Sequence, residues 1–169
     1  MKATIKVKVA HMKCVPTVMD KGDWIDLHSA ASYECHKGEY LKIGLGVSIE
    51  LPAGYEAVLA SRSSLYEKKG LYNPGGIGVI DNCFNGDADE WKLPVFACRR
   101  CNISAGERIA QFRVRLSQKA TWWQRLKWLF TNGVKIKVVE RLGNSSRGGF
   151  GATGGYTNLY RQPEKTSKQ

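Results

Sequence analysis

The apolar positions along this chain recur mostly at a spacing of two, in short runs broken by glycine, proline and asparagine. Residues 4–9 alternate polar and apolar side chains, the pattern of a half-buried strand. Runs at 41–51, 55–60, 79–80, 93–97, 109–114 and 134–139 predict further strands. Turn signals separate them at Pro52-Ala53-Gly54, Asn73-Pro74-Gly75-Gly76 and Asn85-Gly86-Asp87. Many short strands with regular punctuation predict an all-β domain, a barrel or jelly roll.

Two segments depart from that period. Residues 64–69 suit one or two helical turns, with Gly70 as the stop. Residues 121–130 read as a one-sided helix closed by Asn132-Gly133: Trp122, Trp123, Leu126, Leu129 and Phe130 share a face, and Gln124, Arg125, Lys127 and Trp128 lie elsewhere. The expectation is that this helix buries Trp122, Leu126, Leu129 and Phe130 against its own subunit or a neighbour, leaving Trp128 exposed beside Arg125 and Lys127; contact with a membrane or nucleic acid is the alternative.

The chain has 169 residues, enough for one domain with a real core. Its net charge of +11 suits a polyanionic partner, a nucleotide, a nucleic acid or a membrane surface, although much of the excess sits in lysine-rich strands and the tail. Neither stable nucleic-acid binding nor a membrane span is expected, since no apolar run approaches bilayer length. Five cysteines is an odd count without a secretory leader pattern, which suits a reducing cytoplasm. Cys98-Arg99-Arg100-Cys101 lacks the second ligand pair of a zinc site and the strand–helix setting of a redox site, so a structural role is expected. His11, His28 and His36 show no ligand spacing and read as surface or turn residues.

The segment carrying most chemistry is Gly78-Val79-Ile80-Asp81-Asn82-Cys83-Phe84-Asn85-Gly86. It reads as a short apolar strand ending on a carboxylate and turning back as a hairpin. A carboxylate at a strand tip can hold and deprotonate a water, and the backbone beside it can read the edge of a planar base. Four companions follow a fixed order around it: Gly22-Asp23-Trp24-Ile25-Asp26-Leu27-His28-Ser29-Ala30, Ala60-Ser61-Arg62-Ser63-Ser64-Leu65, Gly106-Glu107-Arg108-Ile109-Ala110-Gln111-Phe112, and Arg147-Gly148-Gly149-Phe150-Gly151-Ala152-Thr153-Gly154.

This ordered set, spanning roughly residues 22–154, resembles the five motifs of the trimeric dUTP pyrophosphatases, or dUTPases. Its Gly-Asp-Trp-Ile-Asp-Leu opening is most similar to a subgroup from Gram-positive bacteria and their phages. The resemblance implies a distorted jelly-roll barrel of the β-clip type, assembled as a homotrimer whose sites are shared between subunits. It implies hydrolysis of dUTP to dUMP and pyrophosphate in the cytoplasm of a bacterium or a phage-infected host. The domain would run over residues 1–142, with the 121–132 helix inserted. A glycine-rich active-site arm would follow at 143–156, then a disordered tail at 157–169.

On the same resemblance, Asp81 orients and deprotonates the attacking water. Backbone groups around Val79 and Ile80, up to Phe84, pair with uracil, and the Phe84 ring packs under the deoxyribose. Arg62, Ser63 and Ser64 cradle phosphate oxygens, and Gln111 reaches the phosphate or the water. Asp26 and Arg108 support that site. Phe150 stacks on uracil with Gly151 beside it, while Arg147 and Thr153 grip the terminal phosphate as the arm closes. Mg²⁺ is held chiefly by the triphosphate, with Asp26 reaching its water shell and no direct protein ligand.

The chain departs from the family pattern at Phe84 (usually Tyr), Gly75 (often Asn), Ser61 (usually Pro) and Ala152 (usually Ser). Two rivals share the fold. A dCTP deaminase would need an Arg near Tyr66-Glu67-Lys68, where none stands, and a catalytic Glu near Glu90. A regulatory protein would bind a repressor through the scaffold. The 121–131 insertion, outside the resemblance, is where a protein partner would be sought.

Overall fold

The computed structural model describes residues 1–20 and 22–146. The described residues form thirteen short strands, two short α-helices and a 3-10 turn at Met12–Cys14. The strands are β1 (Ala3–Val9), β2 (Thr17–Val18), β3 (Ile25–His28), β4 (Tyr33–Cys35), β5 (Tyr40–Gly44), β6 (Val47–Glu50), β7 (Tyr55–Ser61), β8 (Leu71–Tyr72), β9 (Gly78–Asp81), β10 (Lys92–Ala97), β11 (Cys101–Ile103), β12 (Arg108–Leu116) and β13 (Val134–Val138). The helices are α1 (Ser64–Lys69) and α2 (Trp122–Leu129). The largest sheet runs β2-β3-β12-β7-β9, and smaller sheets run β13-β1-β6, β5-β10-β8 and β11-β4. The expectation of an all-β fold with one inserted helix holds. Of the expected arm at 143–156 only residues 143–146 are described; its glycine-rich part and the tail at 157–169 lie outside the described residues.

Alternation builds the core. Along β12, Phe112 and Val114 point inward while Arg113 and Arg115 point out. Trp91 and Phe112 meet edge to face at 5.2 Å in the centre of one continuous apolar cluster that takes side chains from every sheet. α1 stops where the sequence predicts, because Gly70 adopts a left-handed φ of 68° and its N–H closes on Tyr66.

Two expectations fail on connectivity. Residues 41–51 do not make one strand. The chain turns at Gly46, whose φ is +62°, and a Cβ there would lie 2.4 Å from the Cys14 Sγ. β5 and β6 therefore enter different sheets. Nor is the Asp81 segment a two-stranded hairpin. β9 pairs with β7, and the strand after the turn, β10, belongs to another sheet.

The inserted helix forms as expected, but it faces the other way. Thr121 caps it with a reciprocal box: its side chain accepts from the Gln124 N–H, and the Gln124 side chain accepts from the Thr121 N–H. The residue turned inward is Trp128, edge to face on Tyr55 at 5.4 Å. Trp122, Trp123, Leu129 and Phe130 are 64%, 72%, 75% and 68% exposed, and Leu126 is half-buried. Periodicity shows which side chains share a face. It does not show which face meets the barrel, and here one Trp with a buried aromatic partner decides the orientation. Trp128→Ala is therefore expected to cost about 2 kcal/mol, below the range for a fully buried Trp because Trp128 is half-buried. Trp122→Ala should change stability by less than about 0.5 kcal/mol. Thermal melts of the two variants check this.

Candidate active site

The first, second and fourth motifs converge on one carboxylate. Asp26 of β3 is 3% exposed. Its Oδ1 lies 3.3 Å from Arg62 Nε, and its Oδ2 accepts from Arg108 Nη1 at 3.3 Å. A carboxylate buried this deeply needs compensation, and the two guanidinium groups supply it. In return, Asp26 fixes the two arginines beside each other despite their like charge.

A β-bulge makes the convergence possible. Arg108 and Gln111 are three residues apart, so on a regular strand they would face opposite sides. The register against β3 shifts after Arg108, pairing Arg108 with His28 and Gln111 with Asp26. His28 and Asp26 are two residues apart, so all four side chains share one face. Gln111 Nε2 donates to the Ser61 carbonyl at 3.3 Å, tying β12 to the end of β7. There the chain leaves β7 through Arg62 and Ser63 into α1, and Arg62, Ser64, Lys68, Lys69 and Arg108 line a cavity of about 200 Å³ with Glu107. Ser63 is exposed at the start of α1. Lys69 is held by Glu107 at 2.9 Å and by the Asn102 carbonyl at 2.7 Å. The cavity is strongly cationic, which suits phosphate oxygens.

His28 is a correction. It lies buried on β3, not on the surface, with Nε2 3.3 Å from the Thr17 hydroxyl. Its Nδ1 finds no protein partner among the described residues. Burial pushes its pKa down, Asp26 pushes it up, and Arg108 and Arg62 push it down again. The folded chain thus holds His28 neutral at pH values where the unfolded chain takes a proton. Stability should be full above the ordinary histidine value of about 6.5 and fall as pH drops through the lower folded value. Melting temperatures of wild type and His28→Asn across that window check it, and the variant should lose part of the acid sensitivity.

The third motif stands apart. β9 is the edge of the large sheet, so among the described residues no strand pairs with its outer side. Val79 is 52% exposed, Ile80 is 3% exposed, and Asp81 sits exposed at the strand end. The chain then turns, with the Phe84 N–H on the Asp81 carbonyl at 3.0 Å and the Phe84 ring packed against the core. Asp81 pairs with Glu56 on β7, and Arg62 follows the end of that strand, six residues beyond Glu56. At ~3.3 Å per residue, that places Asp81 about 20 Å from the phosphate-lining motif of its own chain. The expected site residues thus form two groups that one chain does not bring together. Arg147, Phe150, Gly151 and Thr153 lie outside the described residues.

Sequence reasoning missed the acidic turn after the third motif. The Asp87 carboxylate accepts from the Leu142 and Gly143 N–H groups at 3.0 and 3.2 Å, with Lys8 3.4 Å away. Those contacts, the Leu142 N–H first, hold its pKa below the usual range. Ser146 donates to buried Asp89, and a Cβ on Gly86 would come within 2.5 Å of the Ser146 backbone. Residues 142–146 are therefore strapped to the turn that follows Asp81 on the same chain. Glu90 is structural as well, because it accepts the Gly46 N–H at 3.0 Å.

Cys101 stands opposite Cys35 in the β11–β4 pair, and Cys14, Cys35, Cys98 and Cys101 are free thiols. No group of three metal-binding side chains occurs among the described residues. No helix among them is long and apolar enough to cross a membrane.

A family model of dUTPases matches residues 12–121. An SPbeta prophage-derived deoxyuridine 5'-triphosphate nucleotidohydrolase of Bacillus subtilis is 41% identical over 136 residues, covering 80% of this chain and 87% of the relative. A deoxyuridine 5'-triphosphate nucleotidohydrolase of Hydrogenobaculum is 33% identical, covering 69% of this chain and 72% of the relative. Among solved structures, the dUTPase of Streptococcus mutans superposes with a TM-score of 0.62 at 21% identity, covering 69% of this chain and 98% of that one. The dUTPase of phage phi11 of Staphylococcus aureus, in which a structural Mg(II) ion is coordinated, superposes at 0.60 with 17% identity, covering 69% and 93%. These superpositions give the sheets their jelly-roll-like arrangement. The matched span carries the carboxylate that joins two arginines, the cationic cavity and the strand-end Asp81, and by descent as by fold the chain belongs to the dUTPase family.

Proposed function

We infer that the chain converts dUTP to dUMP and pyrophosphate, by attack of a water on the α-phosphorus, at sites shared between the subunits of a homotrimer. The observation carrying this reading is the split within one chain. Arg62, Arg108 and Gln111 gather around Asp26, whereas Asp81 lies about 20 Å along β7. A base acting on water at a phosphorus must sit within a few ångströms of the groups holding that phosphate, so Asp81 meets the cavity of a neighbouring subunit.

In that arrangement Asp81 takes the proton of the water as it attacks. Arg62, Ser63 and Ser64 hold phosphate oxygens as charge develops on them, and Gln111 orients the phosphate or the water. The outer edge of β9, at Val79 and Ile80, pairs with uracil through its backbone. Cytosine presents a swapped donor and acceptor there, which would leave buried groups unpaired. Phe84 keeps the ring that floors the sugar, so discrimination against a 2′-hydroxyl survives without the phenol. The barrel runs to residue 142, and the arm at 143–156 brings Arg147, Phe150, Gly151 and Thr153 over the nucleotide from the root held by Asp87.

Both oxygens of Asp26 already face guanidinium groups, which fits a Mg²⁺ ion carried by the triphosphate oxygens with Asp26 no closer than its water shell. When bound, Mg²⁺ would offset phosphate charge. The deaminase reading is not favoured, since Glu90 is committed to the Gly46 N–H. We place the protein in the cytoplasm of a bacterium or phage-infected host, given a prophage-derived relative and the free thiols of Cys14, Cys35, Cys98 and Cys101.

Pyrophosphate release measured with dUTP, dCTP, dTTP and UTP tests the assignment. Turnover is expected with dUTP and at least about a hundredfold less with the others. Comparable turnover of dCTP or UTP would overturn it.

A further inference from the structure

None of the five motifs that resemble the dUTPases lies within α2. Four large apolar side chains, Trp122, Trp123, Leu129 and Phe130, are each at least 64% exposed along two turns of helix. Soluble proteins rarely leave so dense an aromatic cluster in water without a reason. The face is also held firmly. Thr121 and Gln124 cap one end, Trp128 on Tyr55 anchors the inner side, and Gln124 Nε2 donates to the Ala53 carbonyl at 3.0 Å. At the far end, Met1 N donates to the Phe130 carbonyl and the Asn132 N–H to the Met1 carbonyl, which brings the 64% exposed Met1 alongside.

Charge points to what covers it. Between Glu107 and Glu140 the sequence holds eight lysines and arginines and no acidic residue. Arg108, Arg113 and Arg115 are ion-paired to Asp26, Asp23 and Glu56. Lys119, Lys127, Lys135 and Lys137 are exposed and enter no ion pair among the described residues. A second copy of this face would meet like charge.

Trp, Phe and Leu projecting from a helix bordered by lysine are the chemistry of an anionic bilayer surface. The rings enter the headgroup boundary and the cations meet lipid phosphates. Single-stranded nucleic acid fits less well. Trp122 and Trp123 pack edge to face on each other at 4.5 Å, which takes up ring surface that a base would stack on. Leu129 has no base chemistry to answer it. We propose that α2 docks the protein on anionic lipid surfaces through Trp122, Trp123, Leu129 and Phe130, with Lys119 and Lys127 as the electrostatic contacts. A single helix of this length gives weak, reversible association.

The test is cosedimentation of the full chain with vesicles of phosphatidylcholine alone or mixed with phosphatidylglycerol, at low and high salt. Retention is expected on the mixed vesicles only, with loss at high salt and a blue shift of tryptophan emission. Lys119→Gln with Lys127→Gln should weaken retention about 25-fold, at roughly fivefold per cation. Trp123→Ser with Phe130→Ser should abolish it while dUTP turnover stays at the wild-type level, which shows that the variant is folded. Equal retention on neutral vesicles, or none on either, overturns the proposal. So does preferential capture by single-stranded DNA, or a loss of oligomer mass in the Trp123 and Phe130 variant, which would assign the face to nucleic acid or to a second copy.

Discussion

Asp81→Asn is expected to lower dUTP turnover about a thousandfold, the scale of a lost general base, while dUTP still binds. The change removes one negative charge at the exposed end of β9, where Ile80 and the pairing with β7 keep the strand in place. The phosphate contacts at Arg62, Ser63 and Ser64 are untouched, so affinity for a non-hydrolysable dUTP analogue should stay within a few-fold of wild type. Single-turnover kinetics with that binding measurement separate the two effects. Turnover near the wild-type rate would remove Asp81 from the mechanism.

Mixing two dead chains should restore activity. Asp81→Asn lacks the base, and Arg62→Ala lacks a phosphate contact while Arg108 still holds Asp26. If each site takes Asp81 from one subunit and Arg62 from another, equal mixing of the two chains leaves about a quarter of the sites with both residues intact. Co-refolded mixtures should then show about a quarter of wild-type activity, against almost none for either variant alone. A mixture that assembles into mixed oligomers and stays inactive would mean that one chain supplies both residues. Light scattering on the wild-type chain supplies the accompanying mass, expected to be that of a trimer.

Much of this was legible in the residues, in places where one local rule governs. Gly70 ends α1 because only a left-handed residue fits there, and the alternation of residues 109–114 gives β12. β3 escaped because Asp26 and His28 are polar residues inside a buried strand. Their burial depends on Arg62 and Arg108, which are distant in sequence. The bulge that turns Arg108 and Gln111 to one face leaves no mark in composition. β4 and β11 are too short to show a period. The orientation of α2 depended on Tyr55, far back in the chain. The separation of Asp81 from Arg62 follows from strand register, which a motif string does not carry.

The pairing of β1 with β13 bears on how the chain is made. The two strands run parallel, with Ala3 opposite Val134 and Val7 opposite Val138. β1 leaves the ribosome long before β13, so one of its edges waits for a partner more than a hundred residues further along the chain. At bacterial elongation rates that delay is about ten seconds, during which an alternating apolar strand carries unpaired backbone groups. Completion of this sheet is therefore a late event in translation, and a ribosome stalled before Val134 would hold a chain prone to pair with its neighbours on the same message.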